Sequence, residues 1–225
     1  MNKKEIQKSR MWQYFVEATA SIIEEEGIEK VTIRKVGDRA GYNSATIYNY
    51  FSELSHLLFF ASMRFLKPYT DEVTLNIKKG NNPIEKWLIS WECFCKHSYH
   101  NPTIFHAIFI ADLGDQPDKF LEHYYSIYPN DLINMPEYLK PILFERNISK
   151  RGRDFLELAV KEGMIAEENA DGLNELTLLI WKGMFTNILN RRTNYTPDEA
   201  VAKTMKYISE VVLNQKYLNL KNGKA

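Results

Sequence analysis

The chain has 225 residues, of which 44% are apolar and 26% charged, a composition typical of folded globular proteins rather than disordered ones. Its 29 Lys and Arg residues balance its 29 Asp and Glu residues, which excludes a uniformly basic surface but leaves room for a local basic patch. Two cysteines cannot make a disulfide-stapled secreted module, and no apolar run is long enough to cross a membrane. We therefore expect a cytoplasmic protein.

The first forty residues predict two helices. Apolar residues recur with helical spacing from Trp12 to Ile23, and Gly27 ends this first helix. Thr32 is a suitable N-cap for a second helix, Ile33 to Ala40, which Gly41 closes.

Two further short helices are predicted directly after this. Asn43 or Ser44 can cap a third helix that ends near Tyr50. Ser52 can cap a fourth, apolar helix that runs toward Pro68.

Longer helices are predicted for the rest of the chain, which carries no clear strand or hairpin signal. Their predicted ranges are 84–99, 103–113, 118–128, 151–162, 171–190 and 197–215. Thr196 to Glu199 is a good helix start, and a proline-containing loop separates the third range from the fourth. The predicted fold is all-α, with an N-terminal three-helix domain (residues 1–53) and a larger helical bundle (residues 54–225).

The segment VTIRKVGDRAGYNSATIYNYF, residues 31–51, has the pattern of a helix-turn-helix, with the motif at about residues 32–51. Its third helix exposes hydroxyl and amide side chains, which bond well to phosphate oxygens or base edges. Charge alone does not decide the matter, because the 8 bases and 7 acids of residues 1–51 sum to +1. A polar helical hairpin that binds nothing is the alternative.

Residues 10–66 resemble the N-terminal domain of the TetR family of transcriptional regulators. The matching features are EEEGIEKVTIRKVGDRAG, then ATIYNYF, then an apolar fourth helix, without a gap. The resemblance implies that Thr32, Tyr48 and Tyr50 hold DNA phosphates. It implies that Thr46 lies at the groove wall and that base edges are faced by Arg34, Tyr42, Asn43, Ser44 and Ala45.

Two positions depart from the family pattern. Leu54 stands where the family usually has a phosphate-gripping lysine at the start of the fourth helix. Gly37 replaces the usual alanine of the second helix, and we expect it to lower helix stability by about 0.5–1 kcal/mol.

Aromatic residues concentrate in the middle third of the chain, where they form either simple core or the walls of an apolar ligand pocket. The resemblance implies the second, with a small-molecule effector that releases DNA. The candidate lining is Trp87, Trp91, Tyr99, Phe105, Phe109 and Tyr124. Because the aromatic helices contain only Lys86 and Lys96 as bases, a neutral or cationic, largely apolar effector is favoured over a strongly anionic one.

Cys93, His97 and His100 share one sector of a predicted helix, a spacing that can bind a metal ion. An all-α metal sensor or metalloenzyme is therefore the alternative function, although packing and surface roles are commoner for such residues. No enzyme motif is found, and we expect neither catalytic activity nor a cofactor or metal.

The helix at 171–190 is apolar on more than one face, which is typical of a central helix or a subunit interface. The resemblance favours the interface, and the predicted contact residues are Leu176, Ile180, Met184, Met205, Ile208 and Val212. The sequence thus predicts a homodimeric regulator, most often a repressor, that binds a near-palindromic double-stranded operator and no membrane.

Overall fold

A computed structural model of the chain describes residues 3–114, 118–132, 136–143 and 145–213. Over these residues the fold is all-α, as predicted, and contains no strand. The helices are α1 (Lys3–Glu26), α2 (Ile33–Ala40), α3 (Ser44–Tyr48), α4 (Leu54–Met63), α5 (Lys67–Asn76), α6 (Pro83–His100), α7 (Pro102–Phe109), α8 (Asp118–Ile127), α9 (Lys140–Leu143), α10 (Ile148–Lys161), α11 (Glu167–Leu189) and α12 (Pro197–Val212). Among the described helices, none combines the length and apolar character needed to cross a membrane.

The chain packs into two compact units that alternate along the sequence. The first unit comprises Met1–Lys67 and Thr103–Asn134, and the second comprises Pro68–Pro102 and Met135–Ala225. The domain boundary at residue 53 remains a prediction, since these units are defined by packing rather than by function.

The core of the first unit centres on Trp12 of α1. Its ring lies 5.6 Å from that of Phe51, 4.5 Å from that of Phe60 and 4.9 Å from that of His123, measured between centroids. Because His123 belongs to α8, a segment more than a hundred residues along the chain completes the core of the N-terminal helices.

The second unit is built around α6, which packs against α10, α11 and α12. Trp181 of α11 is fully buried and donates from Nε1 to Ser98 Oγ at 3.1 Å. The Tyr99 hydroxyl and Thr204 Oγ1 of α12 are 2.9 Å apart. Side-chain hydrogen bonds thus join α6, α11 and α12 inside the core of this unit.

Several helix boundaries differ from the predicted ones. Ser52 does not cap α4, which begins at Leu54 with Glu53 in the N-cap position and no side-chain capping bond. Helix α5 was not predicted, because Pro68 was interpreted as a terminator, whereas it is the second residue of a new helix, where a missing N–H is tolerated. The helix predicted for 103–113 ends at Phe109. The predicted end of the last helix, Gln215, lies outside the described residues.

Candidate nucleic-acid interface and effector cavity

The caps of α2 and α3 define a helix-turn-helix. Thr32 Oγ1 accepts from the backbone N–H of Lys35 at 3.2 Å, and Gly41 adopts φ 72°, the left-handed conformation that ends α2. Asn43 Oδ1 then accepts from the N–H and the hydroxyl of Thr46, at 2.9 and 3.0 Å. The capping roles predicted for Thr32, Gly41 and Asn43 are confirmed.

Gly37 has a packing role that the sequence did not reveal. A Cβ built at this position would lie 2.5 Å from the carbonyl oxygen of Tyr42, closer than any real Cβ contact. The Tyr42 N–H in turn donates to Gly37 O at 2.9 Å. Glycine therefore lets the turn close directly over α2, and the interpretation of Gly37 as merely a weaker helix former is incomplete.

The nine residues predicted to contact DNA all lie in the first unit, and none of them is buried. Tyr48 is 54% exposed and Tyr42 is 40% exposed, so both aromatic side chains are open to solvent. The exposed members are Thr32, Arg34, Tyr42, Asn43, Ala45 and Tyr48, and the half-buried ones are Ser44, Thr46 and Tyr50. This surface is open to a partner, while each residue's contact with DNA remains a prediction.

Two of these aromatic residues also hold α3 against α1. The ring of Tyr42 lies 5.5 Å from that of Phe15, and its hydroxyl donates to the Met11 sulfur at 3.5 Å. The ring centroid of Tyr50 also lies 5.5 Å from that of Phe15. Phe15 is fully buried and so serves as the shared anchor.

Ion pairs reduce the positive charge of the motif. Arg39 binds Glu25 at 2.7 Å and Lys35 binds Glu26 at 2.6 Å, so the acids at the end of α1 neutralise part of the patch. The contact with Arg39 lowers the pKa of Glu25 and raises that of Arg39. Arg34 differs, because its side chain is 90% exposed and lies 3.9 Å from Asp38. Its guanidinium is therefore accessible to a partner.

Arg64 at the end of α4 joins distant parts of the first unit. Its guanidinium lies 3.0 Å from Glu17, 3.1 Å from Asp131 and 4.3 Å from the centre of the Tyr128 ring. The Tyr124 hydroxyl donates to Asp131 at 2.6 Å. Sequence reasoning missed this cluster because its members are up to 114 residues apart and carry no local signal.

The second unit contains a small cavity of about 20 Å³, room for about one water molecule. Its walls are Tyr69, Ser90, Trp91, Phe94, Ile148, Arg151, Gly152 and Phe155. Arg151 is only 5% exposed and donates to the Tyr69 hydroxyl at 2.6 Å. Its guanidinium also lies 5.3 Å and 5.5 Å from the ring centres of Tyr69 and Phe94.

The structure does not gather the six predicted lining residues into one pocket. Trp91 lines the cavity, and Trp87 and Tyr99 are buried elsewhere in the same unit. Phe105, Phe109 and Tyr124 are buried in the first unit. These three are core residues of that unit, and no sequence pattern distinguished them from pocket residues.

Comparison with known proteins agrees with the helix-turn-helix geometry. Residues 15–58 match the family model described as bacterial regulatory proteins, tetR family. Over residues 15–58, therefore, the sequence is that of the TetR-family N-terminal domain. No curated protein matches it.

Solved TetR-like structures share the fold over nearly the whole chain. RolR in complex with resorcinol is 15% identical, with 93% of this chain and 96% of that chain covered and a TM-score of 0.59. Thermus thermophilus FadR, a TetR family repressor in complex with lauroyl-CoA, is 14% identical, with 90% and 93% covered and a TM-score of 0.56. The fatty acid degradation regulator FadR from Bacillus halodurans is 15% identical, with 88% and 93% covered and a TM-score of 0.51.

The histidines of α6 pair with acids instead of forming a metal site. His97 Nε2 is 2.8 Å from Glu72, and His100 Nε2 is 3.2 Å from Asp198. Burial raises the pKa of the Cys93 thiol, which disfavours the thiolate that a metal needs. In the part of the chain that the structure describes, no group of three or more His, Cys, Asp or Glu residues is placed to hold a metal. The metal-sensor alternative is not favoured.

The TetR-family resemblance also predicted a dimer interface on the last two helices, and the predicted residues fall into two groups. Leu176 is exposed, and Ile180, Met184 and Met205 are half-buried, so these four are accessible. Ile208 and Val212 are fully buried in the core of their own unit, so they do not belong to such an interface. Leu179, 58% exposed on α11, was not predicted and joins the accessible set.

Proposed function

We propose that this chain is a TetR-family regulator, a homodimeric repressor that binds a near-palindromic DNA operator and is released by a small, largely apolar effector. The observation that carries the proposal is the unburied polar surface of α3, flanked by the exposed Arg34. Hydroxyl and amide groups near a helix N-terminus suit phosphates and base edges in a major groove. Two such helices in a symmetric dimer would read half-sites about 34 Å apart.

The apolar surface of α11 supports dimer formation. Leu176 and Leu179 are exposed one helical turn apart, and the half-buried Ile180 and Met184 continue the same face. Exposed leucines in a row are costly in water and mark an interaction surface. A second copy of the chain is the partner that operator symmetry requires.

The cavity of the second unit supports effector binding. Trp91, Phe94 and Phe155 offer flat apolar walls, while Arg151 offers a buried hydrogen-bond donor. Because the cavity holds about one water molecule, an effector would have to bind a conformation in which the cavity is larger. A higher affinity for that conformation than for the closed one is what would shift the regulator between two states. The related folds of RolR and FadR are seen with resorcinol and lauroyl-CoA.

Arg151 changes the expected chemistry of the effector. The sequence prediction of a neutral or cationic molecule considered only bases on the aromatic helices, but α10 supplies a guanidinium to the cavity wall. We expect an apolar body with an acceptor oxygen, such as a phenol or a carboxylate, positioned toward that guanidinium. Operator binding would place the protein in the cytoplasm with the DNA it regulates.

The proposal is tested by selecting duplexes from a random pool on the full-length protein, then measuring affinities by fluorescence anisotropy. Arg34→Ala should lower discrimination at one base pair by about 1–3 kcal/mol, if Arg34 makes a bidentate base contact. Tyr48→Phe should weaken all duplexes alike, as loss of a phosphate contact does. Lys161→Ala, a matched change on exposed α10 surface of the second unit, should alter neither.

Operator binding and effector release can each be refuted by a separate result. Failure to enrich any palindrome at low salt would refute operator binding. Release is tested by titrating lipophilic phenols and carboxylates onto the preformed complex, and a DNA affinity unmoved by every compound would leave a regulator without an effector.

A further inference from the structure

A groove runs between the first turns of α1 and the residues that follow α3, within the first unit. It has a volume of about 650 Å³. From α1 it is lined by Lys4, Gln7, Lys8, Arg10 and Met11. Asn49 and Tyr50 complete the lining. Three of these seven residues are cationic and none is acidic, so the groove is selective for anions.

The helical stretch that forms this wall is not required by the core. None of residues 3–10 is buried, and the first buried residue of α1 is Trp12. Lys4, Gln7, Lys8 and Met11 follow the i, i+3, i+4, i+7 spacing that places side chains on one face of a helix. Seven of the eight residues 3–10 are polar, and four of them line the groove instead of packing against apolar side chains.

The groove adjoins the exposed surface of α3. Tyr50, one of the predicted phosphate contacts, lies in its lining, and the exposed Tyr48 is two residues away. Met11 of the opposite wall accepts a hydrogen bond from Tyr42, at the turn before α3. Any duplex that meets Tyr48 and Tyr42 would therefore bring its flanking backbone toward the first turns of α1.

We infer that this groove binds the sugar–phosphate backbone of the operator beside the bases read by α3, with Lys4 and Lys8 as its principal phosphate contacts. The inference rests on the proposed operator binding. Lys4 and Lys8 are about 6 Å apart along the helix axis, so they can reach neighbouring phosphates of one strand. The same cations compensate for Leu54, which stands where the family usually has a phosphate-binding lysine.

The test uses the full-length protein and the duplex recovered by selection. Affinity is measured by fluorescence anisotropy at KCl concentrations from about 50 to about 300 mM, a roughly sixfold range. The Lys4→Gln, Lys8→Gln double variant should reduce the slope of log K against log [KCl] by about 0.9 per lost contact, or about 1.8 per subunit. Affinity for selected and unrelated duplexes should fall alike, because phosphate contacts carry no base preference. The matched control is Lys78→Gln, Lys79→Gln, two exposed lysines of the second unit.

The outcomes separate this inference from the function on which it rests. A reduced slope in the α1 variant and an unchanged slope in the control support the groove as a backbone site. A wild-type slope in the α1 variant, with operator binding intact, overturns the groove and leaves the proposed function standing. An equal loss in both variants also overturns it, since net charge alone would then explain the effect. If the wild-type protein selects no duplex, the proposed function fails and the groove site fails with it.

Discussion

Replacing Gly37 by alanine distinguishes local helix propensity from packing. In an open helix interior the change stabilises by about 0.5–1 kcal/mol, because glycine loses more backbone freedom on folding. At position 37 the new Cβ would meet the Tyr42 carbonyl oxygen at 2.5 Å, so the turn between α2 and α3 must move outward. Such overpacking typically costs about 1–3 kcal/mol. We expect a net destabilisation of about 0.5–2 kcal/mol, with weaker binding to every duplex because α3 is displaced.

The measurement is thermal unfolding followed by circular dichroism, with operator affinity as a second readout. Gly172→Ala is the matched control, since a Cβ at this position of α11 meets nothing within 4 Å. The control should raise the melting temperature, whereas Gly37→Ala should lower it by about 2–6 °C. If both variants are stabilised alike, the close approach of Tyr42 to α2 is not a packing constraint and our reasoning about the turn is wrong.

Three further predictions concern the first unit. Asn43→Ala should destabilise the protein by about 1 kcal/mol through loss of the α3 cap, whereas Asn43→Ser should retain most of the stability. Equal melting temperatures for the wild type and both variants would contradict the capping role of Asn43. Arg64→Met should lower the urea midpoint by an amount equivalent to about 1.5–3 kcal/mol, while the exposed Arg34→Met leaves it unchanged. Burial lowers the pKa of His123, so the unfolded chain binds its proton at higher pH than the fold does, and stability should fall as the pH drops below about 6.5. His123→Phe should make denaturation midpoints at pH 7.5 and pH 5.5 more nearly equal, and an unchanged difference would assign the effect to other groups.

Local signals predicted the caps of α2 and α3 correctly. The positions of Thr32, Gly41 and Asn43 followed from side chains that bond to a backbone N–H two or three residues away, or from a φ that favours glycine. The capping box of Thr196 and Glu199 was predicted for the same reason. Each of these interactions closes within one helical turn, so the sequence contains all of it.

Contacts between distant residues were beyond sequence reasoning. Nothing near Arg151 indicates that it reaches Tyr69, 82 residues earlier, inside a cavity. Likewise the sequence did not reveal that His97 pairs with Glu72, because Glu72 lies in α5, a helix that was not predicted. His97 was therefore a candidate metal ligand. Although partial burial alone would raise the pKa of Glu72, hydrogen bonds from Lys96 and His97 lower it. The carboxylate of Glu72 is therefore engaged by side chains of α6.

The alternation of the two units along the chain has a consequence for biosynthesis. Trp12 and Glu17 are made early, but their partners His123 and Tyr128 emerge from the ribosome only after α6 and α7. The first unit therefore cannot complete its core until more than half of the polypeptide has been synthesised, because some of its core contacts join residues far apart in the sequence. A nascent chain stalled before α8 would expose an unfinished N-terminal core to chaperones, and a fragment containing the helix-turn-helix alone would lack the side chains that cover Trp12.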